Sequence, residues 1–229
     1  MSRLSKKYFI AAMVALSASF HASAAFVLDG TRYIYEEGRK SIPVNVSNNA
    51  DKLYGGQVWI DNSNQGNDKV FMVPSPPFFR VDAGQKQLVR IMNVAPSMPA
   101  DRESLFFLNV QEVPPAAGSE AGNYLAFAMN TKVKLIYRPK VLIDGRMGAE
   151  DKVKIERNKD GVFISNPTPY YFAVIALNHN GKPMKLTSAQ ETELAQFKPF
   201  SKVKMSSLPS TSMSFDAIND WGGEQTYHF

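Results

Sequence analysis

The chain has 229 residues, of which 44% are hydrophobic and 21% are charged. This balance is ordinary for a globular protein and excludes the disordered, collagen-like and low-complexity classes. The sequence contains no cysteine, which excludes a disulfide framework, a thiol nucleophile and a cysteine-built zinc site.

The first 24 residues have the pattern of a secretory signal peptide. Three basic residues precede an apolar run over residues 8–16, and Ala22-Ser23-Ala24 supplies small residues for cleavage. The apolar run is too short for a membrane anchor, which needs about 20 residues. We therefore expect residues 1–24 to be removed on export, which leaves 205 of the 229 residues as a soluble mature chain.

Removal of this leader changes the charge balance. It takes away three cations and no acids, so the formal net charge falls from +5 to +2. A nucleic-acid-binding protein needs a clustered basic face. We therefore expect neither a nucleic-acid partner nor membrane insertion for the mature chain.

The mature chain follows the pattern of short strands separated by turn residues, and few windows show helical spacing. The longest strand pattern covers residues 123–137. Another covers residues 104–113 and ends at Pro114-Pro115, because proline cannot donate to a ladder. Residues 78–81 and 87–91 flank a hairpin-like turn. Shorter strand patterns cover residues 41–46, 57–61, 70–73, 152–155, 161–165, 170–177, 202–205 and 225–229.

Short strands with recurrent turn signals predict an all-β protein built from antiparallel sandwiches. One immunoglobulin-like sandwich takes about 100 residues, so the mature chain accommodates two. The strand pattern restarts after Tyr137-Arg138-Pro139. This restart predicts one domain over residues 25–140 and a second over residues 141–229.

Residues suited to catalysis or metal binding are scarce in the mature chain. Its two histidines, His179 and His228, lie in a predicted turn and next to the C-terminus, and neither has a neighbouring nucleophile or second ligand. The adjacent acids Glu36 and Glu37 point apart in an extended chain. We expect no catalytic residue, no cofactor and no metal ion.

The segment over residues 123–135 is unusual because both of its faces begin with apolar residues. With a period of two, Leu125, Phe127 and Met129 share one face with Leu135. A central strand buried on both faces produces this pattern, and so does an exposed binding edge. The pattern alone leaves these two interpretations open.

Six separate motifs follow one another along the mature chain. They cover residues 31–32, 101–106, 112–115, 131–139, 166–171 and 218–223. In these motifs and their order the chain resembles the PapD-like periplasmic pilus chaperones over essentially its whole mature length. The short loop over residues 116–122 and the absence of cysteine resemble the short-loop branch of that family.

The resemblance implies two immunoglobulin-like domains in a boomerang arrangement, with a cleft between them. It implies that Arg32 and Lys134 anchor the C-terminal carboxylate of a pilus subunit in this cleft, a role that suits a guanidinium and an ammonium group. It also implies that Leu125, Phe127 and Met129 fill the apolar groove of an incomplete subunit by donor-strand complementation.

The resemblance assigns two further sets of residues. One set corresponds to a buried inter-domain ion network and comprises Glu103, Arg138 and Asp220. The other set corresponds to part of a surface presented to an outer-membrane usher and comprises Pro76, Pro77 and Phe78. An edge-strand proline pair followed by a core phenylalanine is an equally good interpretation of the second set.

We therefore expect a periplasmic chaperone that binds pilus subunits and delivers them to an usher. Its exposed strand is expected to favour self-association when no subunit is bound. Two alternatives stay open. A two-domain surface or adhesive protein of the same fold would not need the cations at positions 32 and 134, and a secreted hydrolase would need a histidine or an acidic pair in a pocket.

Overall fold

The computed structural model describes residues 24–63, 69–95, 97–116 and 127–229. The leader predicted over residues 1–24 lies outside the described residues except for Ala24. Leu125 and almost all of the loop over residues 116–122 also lie outside them. The predictions made for these positions therefore stay predictions.

Nine strands in the described part of the first half of the chain form one sandwich. They are β1 (Phe26–Leu28), β2 (Arg32–Glu36), β3 (Ile42–Asn48), β4 (Tyr54–Asn62), β5 (Met72–Ser75), β6 (Phe78–Val81), β7 (Lys86–Asn93), β8 (Ser104–Val113) and β9 (Asn130–Arg138). One sheet has the order β1-β3-β7-β5, and the other has the order β2-β9-β8-β4-β6. The alternating apolar residues of the two sheets face each other, so that Val44 and Ile91 pack in the same buried core as Leu108 and Leu135.

Seven strands within residues 141–229, all of which the structure describes, form a second sandwich. They are β10 (Lys154–Asn158), β11 (Gly161–Asn166), β12 (Val174–His179), β13 (Lys182–Pro183), β14 (Ser201–Met205), β15 (Met213–Ile218) and β16 (Glu224–His228). Their sheets have the orders β10-β11-β14 and β13-β12-β15-β16. Ile164 and Val203 from the first of these sheets pack with Leu177 and Phe215 from the second in a separate buried core.

Short helical segments connect these strands. Two 3-10 helices, Lys140–Leu142 and Ala149–Lys152, lie between β9 and β10 in the chain. The predicted domain boundary between residues 140 and 141 falls within the first of them and stays a prediction. The strand pattern gave no sign of α1 (Ser188–Ala195), which begins with a capping box between Thr187 and Gln190. No helix in the described part of the chain is both long and apolar enough to span a membrane.

The hairpin predicted around residues 82–84 is wrong. β6 pairs with β4, whereas β7 pairs with β3 and β5 in the opposite sheet. Gly84 adopts a φ of 69°, so the residue does serve a turn, but the turn carries the chain from one sheet to the other. Alternation of apolar residues predicts strands and does not tell which sheet a strand joins.

A buried ion network joins the two sandwiches and brings together all three residues predicted for it. Arg138 at the end of β9 donates from Nε to Glu103 Oε1 at 2.6 Å and from Nη1 to Asp220 Oδ2 at 2.8 Å. Glu103 also accepts a hydrogen bond from the backbone nitrogen of Tyr171 at 2.7 Å. The network therefore links β8 and β9 to the second sandwich, because Tyr171 and Asp220 both follow residue 140.

Sequence reasoning missed two further members of this network. Arg146 donates from its two terminal nitrogens to the carboxylate of Glu150, at 2.7 Å each, and its Nη2 lies 3.4 Å from Asp220 Oδ1. Opposite charges four residues apart were a weak signal for this pair. The missing information was the tight turn and 3-10 helix that bury both groups, which the strand pattern does not indicate.

Loss of Arg138 should destabilise the protein strongly. We expect Arg138→Leu to lower the free energy of unfolding by about 3–5 kcal/mol, because Glu103 stays buried without its cation. The matched control is Arg39→Leu, which breaks the exposed pair of Arg39 with Glu36 and should cost less than about 1 kcal/mol. Urea unfolding monitored by fluorescence measures both losses, and losses of equal size would contradict a structural role for the network.

Candidate functional site

One edge of β9 is free along its first four residues. β8 pairs with β9 over residues 130–137, whereas β2 runs parallel to β9 and pairs only with residues 134–138. Within the described residues, no strand pairs with residues 130–133 on the side that β2 occupies further along. The backbone groups on that side are therefore available to another strand.

The core-facing side of β9 continues beyond the end of the core. Leu135 is fully buried and Val133 packs against the same core. Three and four alternations before Leu135 the exposure is high, since Met129 is 53% exposed and Phe127 is 73% exposed. The chain thus presents apolar side chains at positions where its own sandwich has nothing left to cover them.

The regular strand is shorter than the sequence pattern predicted. Within the described residues it begins at Asn130, and the last contact toward the N-terminus is the hydrogen bond from Glu112 N to Met129 O at 3.0 Å. β8 ends at Val113 because Pro114 and Pro115 follow, and within the described residues no strand pairs with Phe127 or Ala128. In the described part of the segment 123–135, residues 134–135 lie between two strands, as a central strand does, whereas residues 127–133 have an open edge. Residues 123–126 lie outside the described residues.

Arg32 and Lys134 lie side by side where the free edge ends. They are paired residues in the ladder of β2 and β9, and both are half-buried. They line a narrow recess between the two sandwiches. The other residues around this recess are Leu105, Ile136, Tyr171, Phe172, Ala173 and Gln196.

Neither cation has an acidic partner among the described residues, since none of the ion pairs there includes Arg32 or Lys134. Arg32 donates from Nη1 to the backbone oxygen of Ile218 at 2.8 Å, and Lys134 donates from Nζ to the backbone oxygen of Ala195. Arg32 Nε is buried without a partner within the described residues. Both acceptors belong to the second sandwich, so its position fixes the direction of the two side chains.

Burial destabilises the charged forms of Arg32 and Lys134. Burial, followed by the charge of Arg32, lowers the pKa of Lys134 to about 8. Burial also lowers the pKa of Arg32, although Asp220 opposes the effect. A bound anion would relieve both the desolvation and the repulsion between the two groups.

The positive charges of Arg32 and Lys134 determine the direction in which a strand can be added at the free edge, because they favour one of its two termini at that place. A strand that runs parallel to β2 along residues 127–133 would have to stop where β2 begins, at Arg32, and its C-terminal carboxylate would meet the two cations. An antiparallel strand would bring an α-ammonium group to the same place. Coulomb repulsion disfavours the second arrangement, so the geometry suits a parallel strand that ends in a free carboxylate.

The residues predicted for an usher surface lie away from this recess. β6 is the edge strand opposite β2 in the five-stranded sheet, and Pro76 and Pro77 precede it. Phe78 is 67% exposed, so the alternative interpretation as a core phenylalanine is wrong. Its neighbour Phe79 faces inward and stacks on Phe26, with ring centroids 5.8 Å apart.

Comparisons with known proteins match most of the chain. The family model described as "Pili and flagellar-assembly chaperone, PapD N-terminal domain" matches residues 25–142, and "Pili assembly chaperone PapD, C-terminal domain" matches residues 148–229. Chaperone protein FanE of Escherichia coli is 45% identical over 91% of this chain and 92% of its own length. Chaperone protein PapD of E. coli is 35% identical over 98% of this chain and 94% of its own length.

Solved structures give the same result for the fold. The periplasmic chaperone SfaE is 32% identical, with a TM-score of 0.69 over 88% of this chain and 97% of its own. The SafB chaperone in complex with the SafA pilin of Salmonella enterica is 25% identical, with a TM-score of 0.73 over 92% of this chain and 98% of that chain.

The predicted fold class is confirmed, because the two observed sandwiches correspond to the two immunoglobulin-like domains of these chaperones. The family models together cover residues 25–142 and 148–229, and the relatives match over nearly their full length. The chain therefore belongs to the family of PapD-like chaperones of pilus assembly.

Proposed function

We propose that this chaperone holds a pilus subunit by donor-strand complementation along residues 127–133 and by binding the C-terminal carboxylate of the subunit at Arg32 and Lys134. The observation that carries this proposal is the coincidence of a free strand edge with two half-buried cations at its end. The protein acts by binding, not by catalysis.

The comparisons support a subunit as the ligand. The SafB structure contains the SafA pilin bound to a chaperone that is 25% identical to this chain. A periplasmic location is supported by the related SfaE, which is described as a periplasmic chaperone, and by the signal-peptide pattern of residues 1–24.

Backbone pairing and apolar side-chain contacts make different contributions to the binding of a subunit. The backbone ladder provides affinity that does not depend on the subunit's sequence, and alternate side chains provide specificity. Phe127 and Met129 would each contribute about 1.5–3 kcal/mol when fully buried in a subunit groove, before the cost of ordering the segment. In the absence of a subunit, the same edge favours self-association.

Delivery to an outer-membrane usher is assigned to Pro76, Pro77 and Phe78. The exposure of Phe78 supports this assignment. So does the position of β6, which is separated from β2 by three strands of the sheet. A subunit at one edge and an usher at the other could therefore be bound at the same time.

Removal of either cation should weaken the binding of a subunit. We expect Arg32→Ala and Lys134→Ala each to lower the affinity for a C-terminal subunit peptide by at least about tenfold, because a charge-assisted hydrogen bond to the carboxylate is lost. Isothermal titration calorimetry measures the affinity, and recovery of the subunit from periplasmic extracts provides a second readout.

Lys154→Ala is the matched control for this experiment, because Lys154 lies in β10 of the second sandwich, outside the proposed binding edge, and its exposed side chain pairs with Glu156. It should leave the affinity nearly unchanged. A peptide with an amidated C-terminus should bind the wild type as weakly as the free acid binds Lys134→Ala. If the amidated peptide binds the wild type as tightly as the free acid, the carboxylate anchor is wrong.

Binding of the peptide should depend on pH through Lys134. Its pKa of about 8 means that the group is charged at pH 7 and mostly neutral at pH 9.5. The affinity for a carboxylate-terminated peptide should therefore fall by about tenfold between these pH values, the effect of losing one charged donor. Lys134→Arg should remove the dependence, because a guanidinium group stays charged, and a fall of equal size in that variant would contradict the assignment.

Substitution of the exposed residues Phe127 and Phe78 should affect two different steps, the binding of a subunit and its delivery to the usher. We expect Phe127→Ala to weaken subunit binding by about tenfold or more, the cost of a lost buried aromatic side chain, without loss of stability. Phe78→Ala should leave subunit binding unchanged and reduce the amount of pilus assembled on the cell surface. Immunoblots of periplasmic complexes and of surface pili measure the two effects. Weaker subunit binding in Phe78→Ala, with unchanged binding in Phe127→Ala, would contradict the assignment of the two edges.

A further inference from the structure

Three glutamates are buried in the described part of the chain, Glu103, Glu112 and Glu150. Glu103 pairs with Arg138 and Glu150 pairs with Arg146. Glu112 is only 5% exposed and takes part in none of the ion pairs among the described residues. A carboxylate is almost never buried to this extent without a cation, so a cation near Glu112 is expected in addition to the backbone hydrogen bond that it accepts.

The N-terminal end of β1 lies directly against Glu112. The backbone nitrogen of Phe26 donates to Glu112 Oε2 at 3.0 Å, and Ala25 and Phe26 are 6% and 4% exposed. One residue of chain spans at most about 3.6 Å. The backbone nitrogen of Ala25 therefore lies within about 7 Å of the carboxylate, by the same dimension.

The predicted cleavage after Ala24 changes the chemistry of this nitrogen. Hydrolysis of the peptide bond consumes one water molecule, leaves a carboxylate on Ala24 and leaves a protonated α-amino group on Ala25. The reaction thus creates a cation within about 7 Å of Glu112, which pairs with no cation among the described residues.

We propose that Glu112 is the binding site for the α-ammonium group of Ala25, so that removal of the signal peptide completes a buried ion pair in the first sandwich. The uncleaved chain cannot form this pair, because its Ala25 nitrogen is a neutral amide. The proposal depends on cleavage between Ala24 and Ala25, and it does not depend on the mode of subunit binding.

The position of Glu112 connects this ion pair to the subunit-binding edge. The backbone nitrogen of Glu112 donates to Met129 O, the last ladder contact before the exposed segment, while Ala25 O accepts from Asn49 N at 2.7 Å. The ion pair therefore fixes β1, the end of β8 and the start of the exposed segment to one another. The chain gains this connection only after export has removed its leader.

A double-mutant cycle tests the proposal with four proteins. The mature chain that begins at Ala25 and a chain extended by Gly-Ser before Ala25 are each prepared with Glu112 and with Glu112→Gln, whose side-chain oxygen still accepts from Phe26 N. With Glu112 present, the extension should raise the equilibrium constant for unfolding by about tenfold, or about 1.4 kcal/mol. In the Glu112→Gln background it should change that constant by less than about twofold, since the charged partner is already gone.

The control Glu193→Gln removes an exposed acid and should keep the full effect of the extension. If the extension has the same effect on the chain with Glu112 as on the chain with Glu112→Gln, position 112 and the N-terminus are not coupled. That result overturns the proposal.

A second measurement needs no substitution and applies if Glu112→Gln does not fold. Acylation of the α-amino group at neutral pH, followed by mass spectrometry, should be at least about tenfold slower for Ala25 in the folded mature chain than for the N-terminal glycine of the extended chain, because a paired and buried amine reacts slowly. Equal rates would show that the amine of Ala25 is free in solution and would overturn the proposal.

Discussion

The difference in length between two neighbouring ladders leaves one edge of the first sandwich open. β8 supports β9 from Asn130 onward, but β2 joins it only at Lys134, so one side of the same strand changes from covered to open. Because alternate side chains keep pointing to the same side of a strand, the apolar face that fills the core at Leu135 continues outward to Met129 and Phe127. The open edge is thus a continuation of the protein's own core packing.

Contacts between the two sandwiches position Arg32 and Lys134 at the end of this edge. The backbone oxygens that hold Arg32 and Lys134 belong to Ile218 and Ala195, and both lie in the second sandwich. The Arg138 network and a small apolar contact of Leu105, Ile136 and Tyr171 hold that sandwich against the first. The direction of the two cations therefore depends on the interface between the two sandwiches.

The sequence predicted those features that depend on local pattern. Period-two alternation predicted the all-β fold, and the proline pair correctly ended β8 at Val113. Alternation could not show that β6 and β7 belong to different sheets, because sheet membership depends on contacts distant in the chain. The roles of Arg146 and Glu150 were missed because the strand pattern does not indicate the tight turn and 3-10 helix that bury them. The motif that contains Glu112 gave no indication that its side chain is buried.

Hydrogen exchange at the backbone amides of residues 127–133, in the mature protein with and without the C-terminal peptide of a pilus subunit, tests the open edge most directly. Amides that do not pair with β8 should exchange quickly in the free monomer and become strongly protected on addition of the free-acid peptide. Protection that is already complete in the free monomer, or exchange that the bound peptide leaves unchanged, would contradict strand addition at this edge.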